Sequence, residues 1–385
     1  MGSEMCIRDR ELRILRETVA RFAAKEIYPY VRNWERDEYF PREVIVKMGQ
    51  LGFFGSAFPE KYGGSDLGFL ANAIVAEELA KVSLGIASSC NMQSGTCPMT
   101  ILNWGTESQK KKYLPKILRC ELLGCFAVTE PDVGSDVAGI KTTAIDKGDY
   151  YLVNGAKTWI THATVFDVGI LFAKTNPEAR HEGLSTFVIE RNMPGLEVRK
   201  ITDKLGTRCS DTGEIIFEEC RIPKDHLIGQ PGQGFTIAQS SLTYGRISVA
   251  ARGLGIAQAC LDSAVKYANT REQFGLKIGK FQMNKQIIAE MVADCEAARL
   301  LVYRSAWLVD QGRADSHQAG VAKFFASEAA LRAAVGAMRI HGAYGYSDEY
   351  DVARYYRDVM LMAIGEGSSN IQRILIANAA LGLKR

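Results

Sequence analysis

No Cys-x-x-Cys pair occurs in this chain, although it holds nine cysteines. The nearest pairs, Cys90 with Cys97 and Cys120 with Cys125, suit neither a zinc ribbon nor a redox dithiol. The five histidines are dispersed and none pairs with another at helical spacing, so no metal site is expected. Free, mostly buried thiols in a reducing compartment are the simplest reading. A surplus of one charge is missing too: 47 Lys and Arg face 44 Asp and Glu, a net +3. That leaves no electrostatic footprint for nucleic acid or an anionic membrane surface. No apolar run approaches the roughly 20 residues a spanning helix needs, so no integral membrane segment is expected. Residues 1–10 lack the apolar stretch of a secretory signal and join abruptly to the helical pattern that begins at Glu11; they are set aside as a candidate non-native segment. Without a transit-peptide pattern the bacterial cytoplasm is the expected location, and a processed protein of the mitochondrial matrix would read the same way.

The nucleotide fingerprints are absent as well. There is no G-x-x-x-x-G-K-[ST]. Gly229-Gln230-Pro231-Gly232-Gln233-Gly234 is not G-x-G-x-x-G and no βαβ unit comes after it, so a Rossmann fold is not expected. This segment reads better as a linker into a helix.

What is there is a soluble composition, 47% hydrophobic and 24% charged, over 385 residues, enough for two or three domains. Leu12, Leu15, Val19, Phe22, Ala23 and Ile27 recur at helical spacing, and helical patterns continue over 71–82 and 107–118. From about 123 to 227 the pattern becomes strand-like. Asp146-Lys147-Gly148-Asp149 and Asn154-Gly155 flank Tyr150–Val153 as two hairpin signals. After Gly234 the helical period returns: Ile287, Met291, Cys295, Ala298, Val302, Ser305 and Val309 mark one helix face, and further helices are expected over 318–340 and 369–381. The expected class is α+β, with a helical unit at 11–122, a β unit at 123–232 and a helical bundle at 233–385.

Two segments could carry chemistry. Val128 to Asp136 is a polar turn after an apolar strand, able to grip a planar ring or a phosphate, and Trp159 and Thr161 share a strand face nearby. A structural turn and a core tryptophan would look alike. Near the C-terminus, Ile364-Gly365-Glu366-Gly367-Ser368-Ser369 sets a glutamate between two glycines, before a helix that Ser368 or Ser369 would cap. The glycines allow the carboxylate into a cavity, and a helix start favours the ionised form a base needs. A solvated capping acid is the alternative.

Taken in order, these segments resemble the acyl-CoA dehydrogenase family of flavoproteins over nearly the whole chain, about 11–383. Pro59-Glu60-Lys61-Tyr62-Gly63-Gly64, Lys112-Tyr113-Leu114-Pro115, residues 129–136, Trp159-Ile160-Thr161, Thr270-Arg271-Glu272-Gln273-Phe274-Gly275, residues 344–357 and residues 366–373 carry the likeness. The resemblance implies a helical N-terminal domain, a β-barrel-like middle domain and a C-terminal four-helix bundle, with noncovalent FAD between the last two. Val128, Thr129, Trp159 and Thr161 would face the flavin, with Ser368 and Asn370 also at the cofactor. Ser135 would touch cofactor or pantetheine, and Arg271, Phe274 and Arg339 the FAD of a neighbouring subunit in a homotetramer or homodimer. Arg339 stands where a glutamine is common, which changes that contact. Tyr244, Gly245, Arg246 and Gly367 would line the thioester channel.

Glu366 matches the base that takes the α-proton while the β-hydride passes to flavin N5, giving a trans-2-enoyl-CoA; an electron-transferring flavoprotein would accept the electrons. The residue just before Arg246, where some branches carry their base, is Gly245. Ala87 stands where glutaryl-type enzymes place an arginine for the distal carboxylate, so a dicarboxylic chain would go unpaired. Residues 344–350 nevertheless resemble the glutaryl and alicyclic branch more than the straight-chain one, and Gly245 and Gly365 would widen the pocket, which points to a short, branched or alicyclic acyl group. An acyl-carrier-protein thioester as substrate, or an oxygen-using flavin oxidase or monooxygenase, are the alternatives on the same fold.

Overall fold

The computed structural model describes residues 2–383, with side chains from Asp9 onward, so the ends of the expected 1–10 and 233–385 segments lie outside the described residues. Helix α1 (Gly2–Phe22) passes through a π-turn at Ala23–Ile27 and leads to α2 (Val31–Arg36). Then come α3 (Arg42–Gln50), α4 (Phe69–Val82), α5 (Leu84–Cys90), a second π-turn at Asn91–Gly95, α6 (Thr96–Trp104) and α7 (Glu107–Leu118). Helix α7 starts on a reciprocal cap: the Thr106 hydroxyl accepts from Gln109 N–H, and the Gln109 side chain accepts from Thr106 N–H. Helix α4 is apolar on nearly every side because other helices cover it all round.

The middle of the chain forms β1 (Gly124–Ala127), β2 (Thr143–Asp146), β3 (Tyr150–Thr161), β4 (Val168–Lys174), β5 (Leu184–Glu190), β6 (Leu196–Lys200), β7 (Thr212–Pro223) and β8 (Leu227–Ile228). They make one sheet in the order β6-β7-β3-β2-β4-β5-β8, with β1 parallel to β4. The Asp146–Asp149 turn joins β2 to β3, as its residues predict. The Asn154-Gly155 signal does not make a turn. Strand β3 runs through it to Thr161, because β7 continues to pair beyond it. The ladder instead shifts register between Val153 and Gly155, and Gly155 takes φ +145° where a Cβ would press on Thr142. The pair is a bulge in a long strand.

Helix α8 (Gly234–Thr270) opens the last part and leads to a two-stranded ribbon, β9 (Glu272–Gln273) and β10 (Leu276–Lys277). Helices α9 (Gln282–Asp310), α10 (Ser316–His341), α11 (Asp351–Asp358), α12 (Met360–Ile364) and α13 (Ser369–Ala380) complete it. Helix α8 packs on α10, α4 and α9. Alanines let α10 come close: a Cβ on Gly253 of α8 would already meet the Ala326 carbonyl oxygen at 3.2 Å.

The sheet has its own core around Tyr151, Phe187 and Phe217. The helical parts at the two ends of the chain do not separate so cleanly. Val19, Ile45 and Leu79 pack in one cluster with Ile256 and Ala330. Phe58 and Phe69 join Phe172 of the sheet and Leu254 of α8 in another. The class is α+β, with helices, then a sheet, then a helical bundle. All eight described cysteines are free and buried, and burial pushes the Cys90 thiol up to about 12. No described helix is long and apolar enough to cross a membrane.

Candidate active site

Glu366 lies in the short turn between α12 and α13. The Ser368 hydroxyl caps α13 by accepting from the Ile371 N–H at 3.4 Å. Glu366 and Gly367 both hold left-handed backbone, at φ +56° and +89°. A non-glycine residue there is strained and is kept only where its surroundings fix it. What fixes this one is its carboxylate. Oε1 accepts a hydrogen bond from Asn91 Nδ2, on the second π-turn. Oε2 is sealed from solvent and has no hydrogen-bond partner among the described residues. A Cβ on Gly245 of α8 would collide with that oxygen. Gly245 therefore makes room for the carboxylate itself, which corrects the expectation that it widens the acyl pocket. At Gly365 an added Cβ would meet only Leu361, at 3.3 Å from its carbonyl oxygen.

The helix-start argument expected an ordinary, ionised acid. Burial overrides it and raises the Glu366 pKa above the usual carboxylate value. The Arg252 guanidinium, the Asn91 hydrogen bond, Arg246 and Lys323 each pull it back without cancelling the desolvation. Lys323, fully buried on α10, donates to the Gly367 carbonyl at 2.9 Å and so fixes the turn. Burial pushes its ammonium down to about 8.

A second group forms on the sheet. Strand β3 drops out of register again between Lys157 and Ile160, and Trp159 sits in that irregularity at φ +58°. Its indole is 62% exposed, so it is not a core tryptophan. The Val128–Thr129 turn is tied beside it: Thr158 N–H donates to the Thr129 carbonyl at 2.9 Å, and the buried Lys157 ammonium to the Val128 carbonyl at 3.0 Å and to Glu130 Oε1 at 2.8 Å. Thr129 and Thr161 are half-buried next to this open indole. An uncovered aromatic face with hydroxyls beside it suits a flat, polar, nitrogen-rich ring, so these residues fit the flavin end of FAD.

The remaining expected residues are more scattered. Arg271 closes α8 just before the β9–β10 ribbon and Phe274 lies at the ribbon's turn, which puts Phe274 and Gly275 at φ +52° and +72°. Phe274 is 94% exposed, and the Arg271 guanidinium sits 5.4 Å over the Tyr344 ring. Arg339, Asn370 and Ser135 are exposed. Tyr244 is half-buried with its ring 5.5 Å from that of Phe69, and Arg246 is buried. Thus Gly245, Arg246, Glu366, Gly367 and Ser368 gather at one place, Val128, Thr129, Trp159 and Thr161 at another. The ribbon residues make no hydrogen bond to either group.

Asn91, Arg252 and Lys323 belong to the first group and were not singled out from the sequence. Asn91 carries no motif signal. Arg252 and Lys323 did leave one: each is a cation set among small and apolar residues at positions where helical spacing expects burial.

Known families and relatives match nearly the whole chain. Residues 9–121, 125–220 and 232–381 match the N-terminal, middle and C-terminal domains of acyl-CoA dehydrogenase. The chain is 48% identical to a glutaryl-CoA dehydrogenase of Desulfococcus multivorans, over 98% of each chain. It superposes on a glutaryl-coenzyme A dehydrogenase in complex with glutaryl-CoA with a TM-score of 0.95, at 47% identity over 97% of this chain and 96% of the other. An acyl-CoA dehydrogenase of Bacillus anthracis complexed with FAD gives 0.90, at 31% identity over 97% of this chain and 67% of the other.

Proposed function

This chain belongs to the acyl-CoA dehydrogenase family of FAD flavoproteins, and on that premise we propose that Glu366 is the base for α,β-dehydrogenation of an acyl-CoA thioester. The observation that carries the reading is Glu366 Oε2: a buried carboxylate oxygen without a partner, held by Asn91 on its other oxygen. A structural acid at a helix start would spend both oxygens on the protein or on water. This one keeps an oxygen for a proton that arrives with the substrate.

The Glu366 N–H also donates to no acceptor among the described residues, so it can donate to the thioester carbonyl and stabilise the enolate-like charge as the α-proton leaves. Bound FAD supplies the acceptor for the β-hydrogen and its electron pair. The α C–H pair becomes the new double bond, and the proton ends on Glu366. Burial raises the carboxylate toward working pH, which brings its proton affinity closer to that of the acid it must deprotonate. Lys323, through the Gly367 carbonyl, keeps the turn in place during the transfer.

Val128, Thr129, Trp159 and Thr161 would hold the flavin, with Ser368 and Asn370 at its edge and Ser135 toward the pantetheine arm. Arg246, with Tyr244, would line the thioester channel. The exposed Phe274 and Arg271 support assembly into a homo-oligomer in which the ribbon and Arg339 reach a neighbour's cofactor. An electron-transferring flavoprotein is the proposed acceptor. A short acyl group, branched or alicyclic, is the proposed substrate. The test is anaerobic mixing of the purified flavoprotein with short-chain acyl-CoAs. Flavin bleaching that disappears in Glu366→Gln supports the reading, and bleaching that persists in that variant removes Glu366 as the base.

A further inference from the structure

The Asn91 amide that holds Glu366 has little hold of its own. Its Nδ2 donates to Glu366 Oε1, while its Oδ1 is sealed from solvent with no hydrogen-bond partner among the described residues. The aim of the amide therefore comes from the backbone that carries it. That backbone is the second π-turn, Asn91–Gly95, a rare form that is often found at functional sites. Two wholly buried polar side chains, His162 and Gln93, support it on either side of Asn91.

His162 follows Thr161 at the end of β3 and holds left-handed backbone, at φ +66°. Its Nδ1 faces the Gly124 carbonyl at 3.0 Å, an atom that can only accept, so Nδ1 carries the proton and donates. Nε2 is then the acceptor, and the Ser89 hydroxyl donates to it at 2.9 Å. Ser89 lies on α5, two residues before Asn91. Two residues after Asn91, the Gln93 Oε1 accepts from the Gly124 N–H at 2.6 Å, and its Nε2 donates to the Ile117 and Leu122 carbonyls at 3.0 and 3.1 Å. Segment 89–93 is thus fastened at both ends to one residue, Gly124 of β1, with Asn91 at its middle. That approach needs a glycine, since a Cβ at position 124 would lie 2.9 Å from both the Cys97 Sγ and the Met92 carbonyl oxygen. Burial, helped by the nearby Arg42, pushes the imidazole below its ordinary value against the pull of Asp211 and Asp167, so the ring is uncharged at neutral pH.

We propose that His162 and Gln93 are positioning residues for the base: by pinning segment 89–93 to Gly124 they aim the Asn91 amide at Glu366. This rests on Glu366 as the base. The Asn91 bond favours the ionised carboxylate, so a loosened segment leaves Glu366 holding its proton more tightly. Arg246 and Arg252 of α8 and Lys323 of α10 face the same carboxylate and act on it by charge, whereas the neutral His162 reaches it through Asn91. Because His162 directly follows Thr161, the strand proposed to hold the flavin also sets where the partner of the base stands.

The experiment follows protonation of Glu366 in the purified holoenzyme in two ways: the acidic limb of kcat/KM with a short acyl-CoA and an artificial acceptor, and the infrared carbonyl band of the protonated acid that Glu366→Gln removes. Ser89→Ala deletes only the hydroxyl that meets His162. That variant and His162→Leu should both move the limb and the band to higher pH, with kcat falling by up to about 100-fold and KM changing less. In an Asn91→Leu background neither should move them further, because the effect passes through Asn91. Shifts that simply add to that of Asn91→Leu overturn the proposal. So does a Ser89→Ala protein whose limb and band stay where the wild type has them, and that variant decides alone if His162→Leu does not fold. A band that moves as expected while Glu366→Gln still bleaches its flavin at the wild-type rate keeps the positioning role and removes Glu366 as the base instead.

Discussion

Oε2 of Glu366 occupies the space in which a side chain at position 245 would begin, so Gly245 of α8 and the α12–α13 turn are fitted to each other through one carboxylate oxygen. Thr96, whose methyl would also lie 2.8 Å from a Cβ at 245, closes the same space from α6. The site is thus built from parts of the chain far apart in sequence, and its tolerances are tight.

The first expectation comes from that fit. Gly245→Ala removes a glycine from mid-helix, which by itself favours the fold by up to about 1 kcal/mol. The new methyl has to displace the carboxylate. The melting temperature should hold within a few degrees while kcat/KM falls about 100-fold, as misplacement of a reacting group by an ångström can do. Thermal melts alongside steady-state rates check this; an unchanged rate would mean the carboxylate sits elsewhere when substrate is bound.

A second concerns pH. The Glu366 pKa is raised above the ordinary carboxylate value, chiefly by burial, and a base must be deprotonated to act. Activity should therefore be lost as pH falls through a point above the usual carboxylate range. Asn91 is one of the groups that lower that pKa, so Asn91→Leu should move the acidic limb to higher pH. The kcat/KM profile of the two proteins is the measurement, and a limb that stays put would take Asn91 out of the account.

Stability supplies a third. Lys157 and Glu130 form a buried pair at 2.8 Å, and Glu130 also accepts from the Thr142 N–H at 2.9 Å. Burial pushes the Glu130 carboxyl up, but Lys157 and these hydrogen bonds outweigh it and hold it below its ordinary value. Lys157→Met leaves the carboxylate buried without its counter-charge, at a cost of about 3–5 kcal/mol. The variant should melt several degrees lower. It should also retain less flavin, because the same ammonium anchors the Val128 carbonyl. Flavin content equal to wild type would separate that turn from the cofactor.

Assembly can be tested directly. Phe274 is almost wholly exposed at the tip of its ribbon, next to the exposed Leu276. If a neighbouring subunit covers it, the wild type should sediment as a dimer or tetramer and Phe274→Ser should shift the distribution toward smaller species. A monomeric wild type would contradict the shared site.

Much of this was legible in the sequence because it was local. The helix-to-strand-to-helix change of period marks the three parts, and a glutamate between glycines at a helix start marks Glu366. Asn154-Gly155 misled because a strong turn signal yields when the strand on both sides of it already has partners. The use of Gly245 was misread for a different reason: its neighbour is the base itself, which only the packing of α8 against the α12–α13 turn reveals. Arg252, Lys323 and Asn91 reach Glu366 from three separate elements, and no spacing along the chain announces that meeting.

The central claim is that Glu366 takes the α-proton. Its most direct measurement is an anaerobic titration of wild type and Glu366→Gln with the same short acyl-CoA, tracking the flavin absorbance. The account predicts bleaching in the wild type and a rate about 10³–10⁴-fold lower in the variant, with thioester still bound. Bleaching at the wild-type rate in Glu366→Gln would contradict it.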